Sequence, residues 1–529
     1  MHLPLPIIDG AMVSGNVVSS AEDKKMPSDK LLEKKIGDEF ACTGMWWVPR
    51  SPYPHNSKLK RYGTLVYSPP ESYKLFTVGS LDLDQSIGAA KKTIWGISTS
   101  GEFITLFDCQ RVLETIDLFN LRDETDYAYQ PAIVLVTNSK RWFNGVEEVA
   151  FDKLWLRYKH LVAWAGASTI RALSPQDFQP TGRGSQLFSF QRPFVLQTVN
   201  VGHYFVSLWV SYHVMSGTDG SAPSLTFAND TFFSVKPRQG KITLEGAKDI
   251  IRIIMNFLSL MIGESTFNDS IEGFIDVSDA QRLTRIKVFP SVHVPKNVQA
   301  ANQADMLFPY QELAGLFKQA FRAMFVKEMQ PLYNQFFAEQ YQPSAYEEDR
   351  FMAAIRAIEV FHRRVRGGSY VDETEYKKCK QKFSALVETL VQNCDFKTLE
   401  NEAAFKNSLK QRLTYGYQYS LNKRLQDILA DQTVFLQLFV NENLDGVLNW
   451  YANKIAKTRH YYTHYDDEDK NEAITGAKEL KLAAERLIVL LYMLLLHYVG
   501  VPKEAVDVAM QRHSETTYNK FGYLRAKTN

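Results

Sequence analysis

The sequence predicts an α+β chain, with a β-rich, sandwich- or barrel-like N-terminal half and an all-α C-terminal bundle. Three observations carry that prediction. As far as Val214 the apolar residues come in short aromatic or β-branched runs punctuated by Gly, Pro, Ser and Asn. From Ala247 their period lengthens from that of a strand to that of a helix. Beyond Pro309, long periodic segments follow one another across short polar connections, as in a helical bundle. The 529 residues also exceed the roughly 250–300 that one core usually holds, so more than one domain is expected.

Residues 1–36 carry Gly, Ser and charge with weak periodicity and are expected to form a partly ordered arm. The β-rich domain is placed at 37–291. Its first runs are Trp46-Trp47-Val48-Pro49, Gly63 to Tyr67 and Tyr73 to Val78. Trp46 and Trp47 could form a ligand platform, but core packing suits paired indoles better. Thr93–Ile97 and Phe103–Phe107 flank Ser98-Thr99-Ser100-Gly101 and read as a hairpin. The clearest strand is Tyr204–Val214, apolar at every even position. Ala247–Ile262 is apolar over most of a helical circumference and is therefore expected to be buried. A short β tail near Phe274-Ile275 and Ile286–Phe289 precedes a linker at 292–308.

The helical domain is placed at 309–529, with helices at 310–336, 345–366, 372–393, 418–431, 444–462, 474–499 and 502–511. In the second of these, Phe351, Ala354, Ile355, Ile358, Phe361 and Val365 form the core stripe and leave Arg356, Arg363 and Arg366 outward. The run Leu487–Leu496 is about half a membrane span and is bounded by Glu485, Arg486 and His497, so it reads as a buried helix.

A net charge of +2 gives no whole-molecule attraction to nucleic acid, so any such binding must be local. The four cysteines are widely spaced and form no C-x-x-C pair, which points away from a disulfide framework or a zinc ribbon. The first residues lack the basic and apolar regions of a signal peptide, and a cytoplasmic protein without a membrane anchor is expected. Gly182-Arg183-Gly184-Ser185 lacks the G-K-[ST] ending of a phosphate loop, and no G-x-S-x-G element is present.

The stretch that carries chemistry is Lys457-Thr458-Arg459-His460-Tyr461-Tyr462-Thr463-His464-Tyr465. A guanidinium keeps its charge and matches phosphate oxygens, and histidine titrates near neutrality. Arg459 is the candidate phosphate clamp, and His464 the proton-transfer group for attack of a ribose 2′-hydroxyl on the adjacent phosphorus. No metal or other cofactor is needed for that reaction. The two positions stand about 140° apart on an ideal helix, so one phosphate can meet both only if the helix frays or turns between them. Lys454 and Lys457 add positive charge, and Tyr461 and Tyr462 offer faces for bases; core packing is the alternative for the tyrosines. Arg363 and Arg364 could extend a basic groove or be a solvated helix surface. Glu359 could orient Arg459 from a neighbouring helix, or form an ordinary ion pair. The acidic run Asp466-Asp467-Glu468-Asp469 counts against RNA unless it points away or pairs with basic residues. His460 and His464 also have the i,i+4 spacing of a metal pair, but the glutamate of H-E-x-x-H is replaced by Tyr461.

This stretch resembles the R-x4-6-H motif of HEPN domains, and closely the T-R-N-Y-x-T-H-Y form of the ApeA-like subgroup of bacterial anti-phage proteins. The N-terminal half is similar to that subgroup's β-rich domain at Cys42–Pro49, Gly63-Thr64-Leu65, Thr93-Ile94-Trp95-Gly96 and Phe257–Gly263. The resemblance implies metal-independent endoribonuclease cleavage at a cleft between two HEPN domains, with Arg459 and His464 catalytic. It implies a homodimer or higher homo-oligomer that takes RNA as substrate and acts in abortive infection, with a phage-derived trigger read by the N-terminal domain. His460 departs from the Asn common at that position, which leaves its auxiliary role open. The alternative is a non-catalytic RNA- or nucleotide-binding module whose β domain recruits a partner.

Overall fold

The computed structural model describes residues 30–49, 60–69, 71–81, 92–112, 126–172, 188–219, 222–277, 282–291, 302–342, 346–393, 401–437, 446–465 and 467–515. Two compact units result. One comprises Thr266–Lys318 and the chain up to Ser259; the other comprises Leu260–Ser265 and the chain from Gln319.

The first unit is β-rich. Strands β1 (Phe40–Trp47), β2 (Arg61–Tyr67), β3 (Lys74–Val78), β4 (Lys92–Ser98), β5 (Phe103–Val112) and β6 (Asp126–Gln130) form an antiparallel barrel in the order β5-β4-β1-β2-β3-β6. It closes where β6 pairs back onto β5. The expected hairpin is β4–β5, with Ile97 opposite Phe103 and Gly101 at φ +84° in the turn.

The sheet continues outward from β5 through β7 (Ile133–Thr137) and takes in later strands of the chain. The chain beyond β7 forms β8 (Ala150–Phe151), β9 (Lys153–Tyr158), β10 (Ile170–Ala172), β11 (Phe188–Phe190), β12 (Phe194–Val201), β13 (Tyr204–Asp219) and β14 (Ala222–Pro237). After β15 (Ile242–Thr243) and the helix at Leu244–Ile262 come β16 (Asn268–Val277) and β17 (Arg282–Pro290). From β7 the neighbours run β17, β16, β9, β14, β13 and β12, while β8–β15 and β10–β11 form separate pairs. Strand β13 buries Val206, Leu208 and Val210 as its alternation predicts; Phe205 on the other face is exposed.

The paired indoles are core. Trp46 is fully buried and donates from Nε1 to the Gly63 carbonyl at 3.0 Å. Its ring lies so close to Gly96 that a Cβ there would sit 2.3 Å from an indole carbon, which explains a glycine in the middle of β4. Trp47 packs edge-on against Trp142 at 5.4 Å.

Of the expected arm, residues 1–29 lie outside the described residues. Its end is fastened: the amides of Leu31 and Leu32 donate to the buried Glu102 carboxylate at 3.0 and 2.8 Å. The Leu32 carbonyl accepts from Lys287 Nζ at 3.3 Å, and burial holds the Lys287 ammonium down to about 8. Of the expected linker, 292–301 lie outside the described residues, while Met306, Leu307 and Phe308 are buried, and Phe308 accepts from Trp164 Nε1 at 2.8 Å.

After α1 (Leu161–Ala165) and α2 (Leu244–Ile262), the remaining helices begin with α3 (Tyr310–Leu313), α4 (Phe317–Ala323) and α5 (Gln330–Tyr341). The single helix expected at 310–336 is therefore broken. Val326 is extended, and Pro331, which cannot continue a preceding turn, stands at the start of α5. Next come α6 (Glu347–Phe361), a π turn at His362–Arg366, and α7 (Glu373–Asn393). Helix α8 (Glu402–Arg412) was not predicted, because it buries no residue and so leaves no apolar stripe to read. It is held by the Asn401 cap on the Ala404 amide and by Lys406 and Lys410 on Glu388.

The chain then forms α9 (Leu421–Ala430), α10 (Thr433–Gln437), α11 (Val447–His464), α12 (Asp467–Lys470), α13 (Ala477–Tyr498) and α14 (Lys503–Glu515). Helix α13 is buried along most of its length and packs on α6. Among the described residues, no helix is long and apolar enough to cross a membrane.

Candidate active site on helix α11

Helix α11 starts after Gly446, at φ +85°, and stops at Tyr465, whose own φ of +54° ends the helical path. A tyrosine in that left-handed conformation costs about 1–2 kcal/mol. The buried stripe is Tyr451, Ala452, Ile455 and Thr458, packed on α9 and α6. That stripe fixes where the motif residues point. At ~100° per residue, His460 and His464 lie on the side opposite the core, and Arg459 lies on its flank. Accordingly the two histidines are exposed and Arg459 is half-buried.

The break expected between Arg459 and His464 is absent. The helix is continuous to His464, and the Thr463 hydroxyl donates to the Arg459 carbonyl at 2.7 Å in its last turn. Within one chain the two side chains therefore leave the helix about 140° apart.

The segment after the motif folds back along α11. Buried Thr458 donates to the Lys454 carbonyl at 2.7 Å and accepts from the Ile474 amide at 3.0 Å. The Tyr462 hydroxyl donates to the Ile474 carbonyl at 3.2 Å. Lys457 pairs with Glu472 at 2.6 Å, and His460 Nδ1 bonds the Asp469 carboxylate. Part of the acidic segment is thus spent on neighbouring basic side chains. Arg459 is different: among the described residues its side chain has no hydrogen bond or ion pair. His464 likewise meets no carboxylate there, and its ring lies 4.7 Å from that of His460.

Tyr461, Tyr462 and Tyr465 form an edge-to-face group with centroids 5.1 to 6.2 Å apart. Burial, with the Glu348 carboxylate as a smaller cause, raises the Tyr462 hydroxyl above its ordinary value. Tyr462 is thus the packed member, and Tyr465 the exposed one.

The arginines near α6 are not brought to this place. Glu348, at the start of α6, is the acid near Tyr462, whereas Arg363 and Arg364 follow its other end, about 22 Å along a fifteen-residue helix. Glu359 bonds Arg363 at 2.6 Å, the ordinary i,i+4 pair, and Arg364 donates to the Glu328 carbonyl.

One polar group was not foreseen. His362 is fully buried, with Nε2 on Asp427 at 2.9 Å and Nδ1 against an Arg424 nitrogen at 2.9 Å. Burial is the main cause lowering the His362 pKa. No spacing signal exists for partners more than sixty residues apart. Among the described residues, no group of three or more His, Cys, Asp or Glu side chains is placed to hold a metal ion.

Comparison with known families agrees with this architecture. The family described as ApeA N-terminal domain 1 matches residues 41–324, and the family described as Apea-like HEPN matches residues 352–505, which include α11. No curated protein and no solved structure matches the chain. With more than half of its length inside the first match and its motif helix inside the second, the chain belongs to the ApeA-like HEPN family of anti-phage proteins.

Proposed function

We propose that the protein is a metal-independent endoribonuclease of abortive infection, cleaving RNA by attack of a ribose 2′-hydroxyl on the neighbouring phosphorus. Arg459 binds the phosphate and stabilises its developing charge, and His464 carries the proton. The observation that supports this most is Arg459 itself. A half-buried guanidinium with no partner among the described residues, on a helix where Glu472 engages Lys457 and Asp469 engages His460, is a site waiting for an anion.

The angle between Arg459 and His464 favours a two-copy site, in which the arginine of one protomer and the histidine of its partner face one linkage across a two-fold axis. Lys454, Tyr461 and Tyr462 are assigned to RNA contact, and a phage-derived trigger to the N-terminal unit. The same angle is what favours the second reading, a module that holds RNA without cutting it.

Total RNA incubated with the purified protein in excess EDTA separates the two. Fragments ending in 2′,3′-cyclic phosphate are the expected result, and RNA bound but intact would select the binding module. Loss of cleavage on adding EDTA would instead assign His460 and His464 to a metal.

A further inference from the structure

We propose that His460 is the general acid of this cleavage, held by Asp469, while His464 one turn along the same helix is the base. The assignment rests on the ribonuclease reading and adds a second proton-transfer group to it. The two rings lie 4.7 Å apart at 51°, and His460 is half exposed. Its Nδ1 is taken by the Asp469 carboxylate. With Nδ1–H donated there, Nε2 is the nitrogen left to present a proton, and the carboxylate is the counter-ion of the imidazolium. Asp469 is a built part of the fold-back segment: its carbonyl accepts from the Glu472 and Ala473 amides at 3.0 and 2.9 Å. Asp469 is therefore a positioning residue. His464 has no such carboxylate among the described residues, which distinguishes the two imidazoles.

Transesterification moves two protons at once. The 2′-oxygen gives one up as it bonds to phosphorus, and the 5′-oxygen takes one as its bond to phosphorus breaks, the two oxygens roughly in line. His464 accepts the first proton and the His460 imidazolium supplies the second from Nε2. The products are a 2′,3′-cyclic phosphate and a 5′-hydroxyl, and proton exchange with water resets both rings. No other reactant is consumed.

The test uses the intact protein. A cleaved linkage is mapped first, then synthesised with sulfur in place of the 5′-bridging oxygen, a leaving group that needs no proton. His460→Ala is expected to lose ~10²–10⁴-fold on the oxygen linkage and to recover close to the unsubstituted protein on sulfur. Asp469→Asn is expected to show a smaller loss with the same recovery, and His464→Ala to stay impaired on both. Equal impairment of His460→Ala on the two linkages, or none on either, overturns the acid assignment and leaves the ribonuclease reading standing. If the intact protein cuts neither linkage, the ribonuclease reading falls and this assignment with it.

Discussion

His362 with Arg424 and Arg459 with His464 are both cation–imidazole sets in the helical unit, yet their surroundings are opposite. Arg424 is 1 % exposed, and its nitrogens donate to the Tyr419 carbonyl at 3.0 Å and the Gly367 carbonyl at 2.8 Å, besides meeting His362. His362 is closed off by Asp427 on its other nitrogen. Both His362 ring nitrogens and the Arg424 Nε and Nη1 have protein partners. On α11, Arg459 has none among the described residues and the histidines face outward. A saturated buried network holds a bundle together; an unsaturated one on a rigid helix is suited to meet something else.

The sharpest way to break this contrast is to truncate both sets. Arg459→Ala or His464→Ala is expected to cut RNA cleavage by ~10²-fold or more with an unchanged thermal midpoint. Arg424→Ala is expected to do the reverse, destabilising the protein by ~3 kcal/mol or more because the buried His362 ring and the Tyr419 and Gly367 carbonyls lose their donor, with cleavage per folded molecule preserved. Denaturant midpoints and initial rates on the same preparations check both.

Acid should weaken the buried group. The folded His362 pKa is below the unfolded 6.5, so the unfolded chain binds the proton more readily. Its contribution is complete above pH 6.5 and declines as the pH falls below that. A urea midpoint that drops from pH 7.5 to pH 5, with a flatter slope in His362→Gln, is the expected outcome.

Smaller effects refine the picture. Thr458→Val removes the acceptor for the Ile474 amide and should cost ~1–3 kcal/mol, loosening the fold-back segment. Glu359→Ala should change stability by less than ~0.5 kcal/mol and cleavage not at all, since it removes only a helix-surface pair with Arg363. A large loss of cleavage there would restore Glu359 to the site.

Legibility in the sequence followed the range of the forces involved. Local periodicity gave β4–β5, the start of β13, α11 and α13 within a few residues, because in each a buried face repeats along the chain; it gave α7 as well, although Phe383, Leu386 and Leu390 of its apolar pattern are exposed. It failed at α8, which has no buried face, and at 310–336, where Pro331 and an extended Val326 interrupt an apolar pattern that looks continuous. The motif was readable because Arg459 and His464 are close in sequence. Their angular separation was readable too, but the continuous helix behind it was not, since the left-handed Tyr465 cap lies just beyond His464. The pairing of Asp469 with His460 needed the fold-back, which depends on one hydroxyl, that of Thr458, reaching across sixteen residues.

The burial of α13 against α6 also sets a timetable. Residues 447–464 leave the ribosome before 477–498, so a growing chain displays its motif helix while α6 still lacks α13 against it. Translation through Tyr498 must precede a finished bundle.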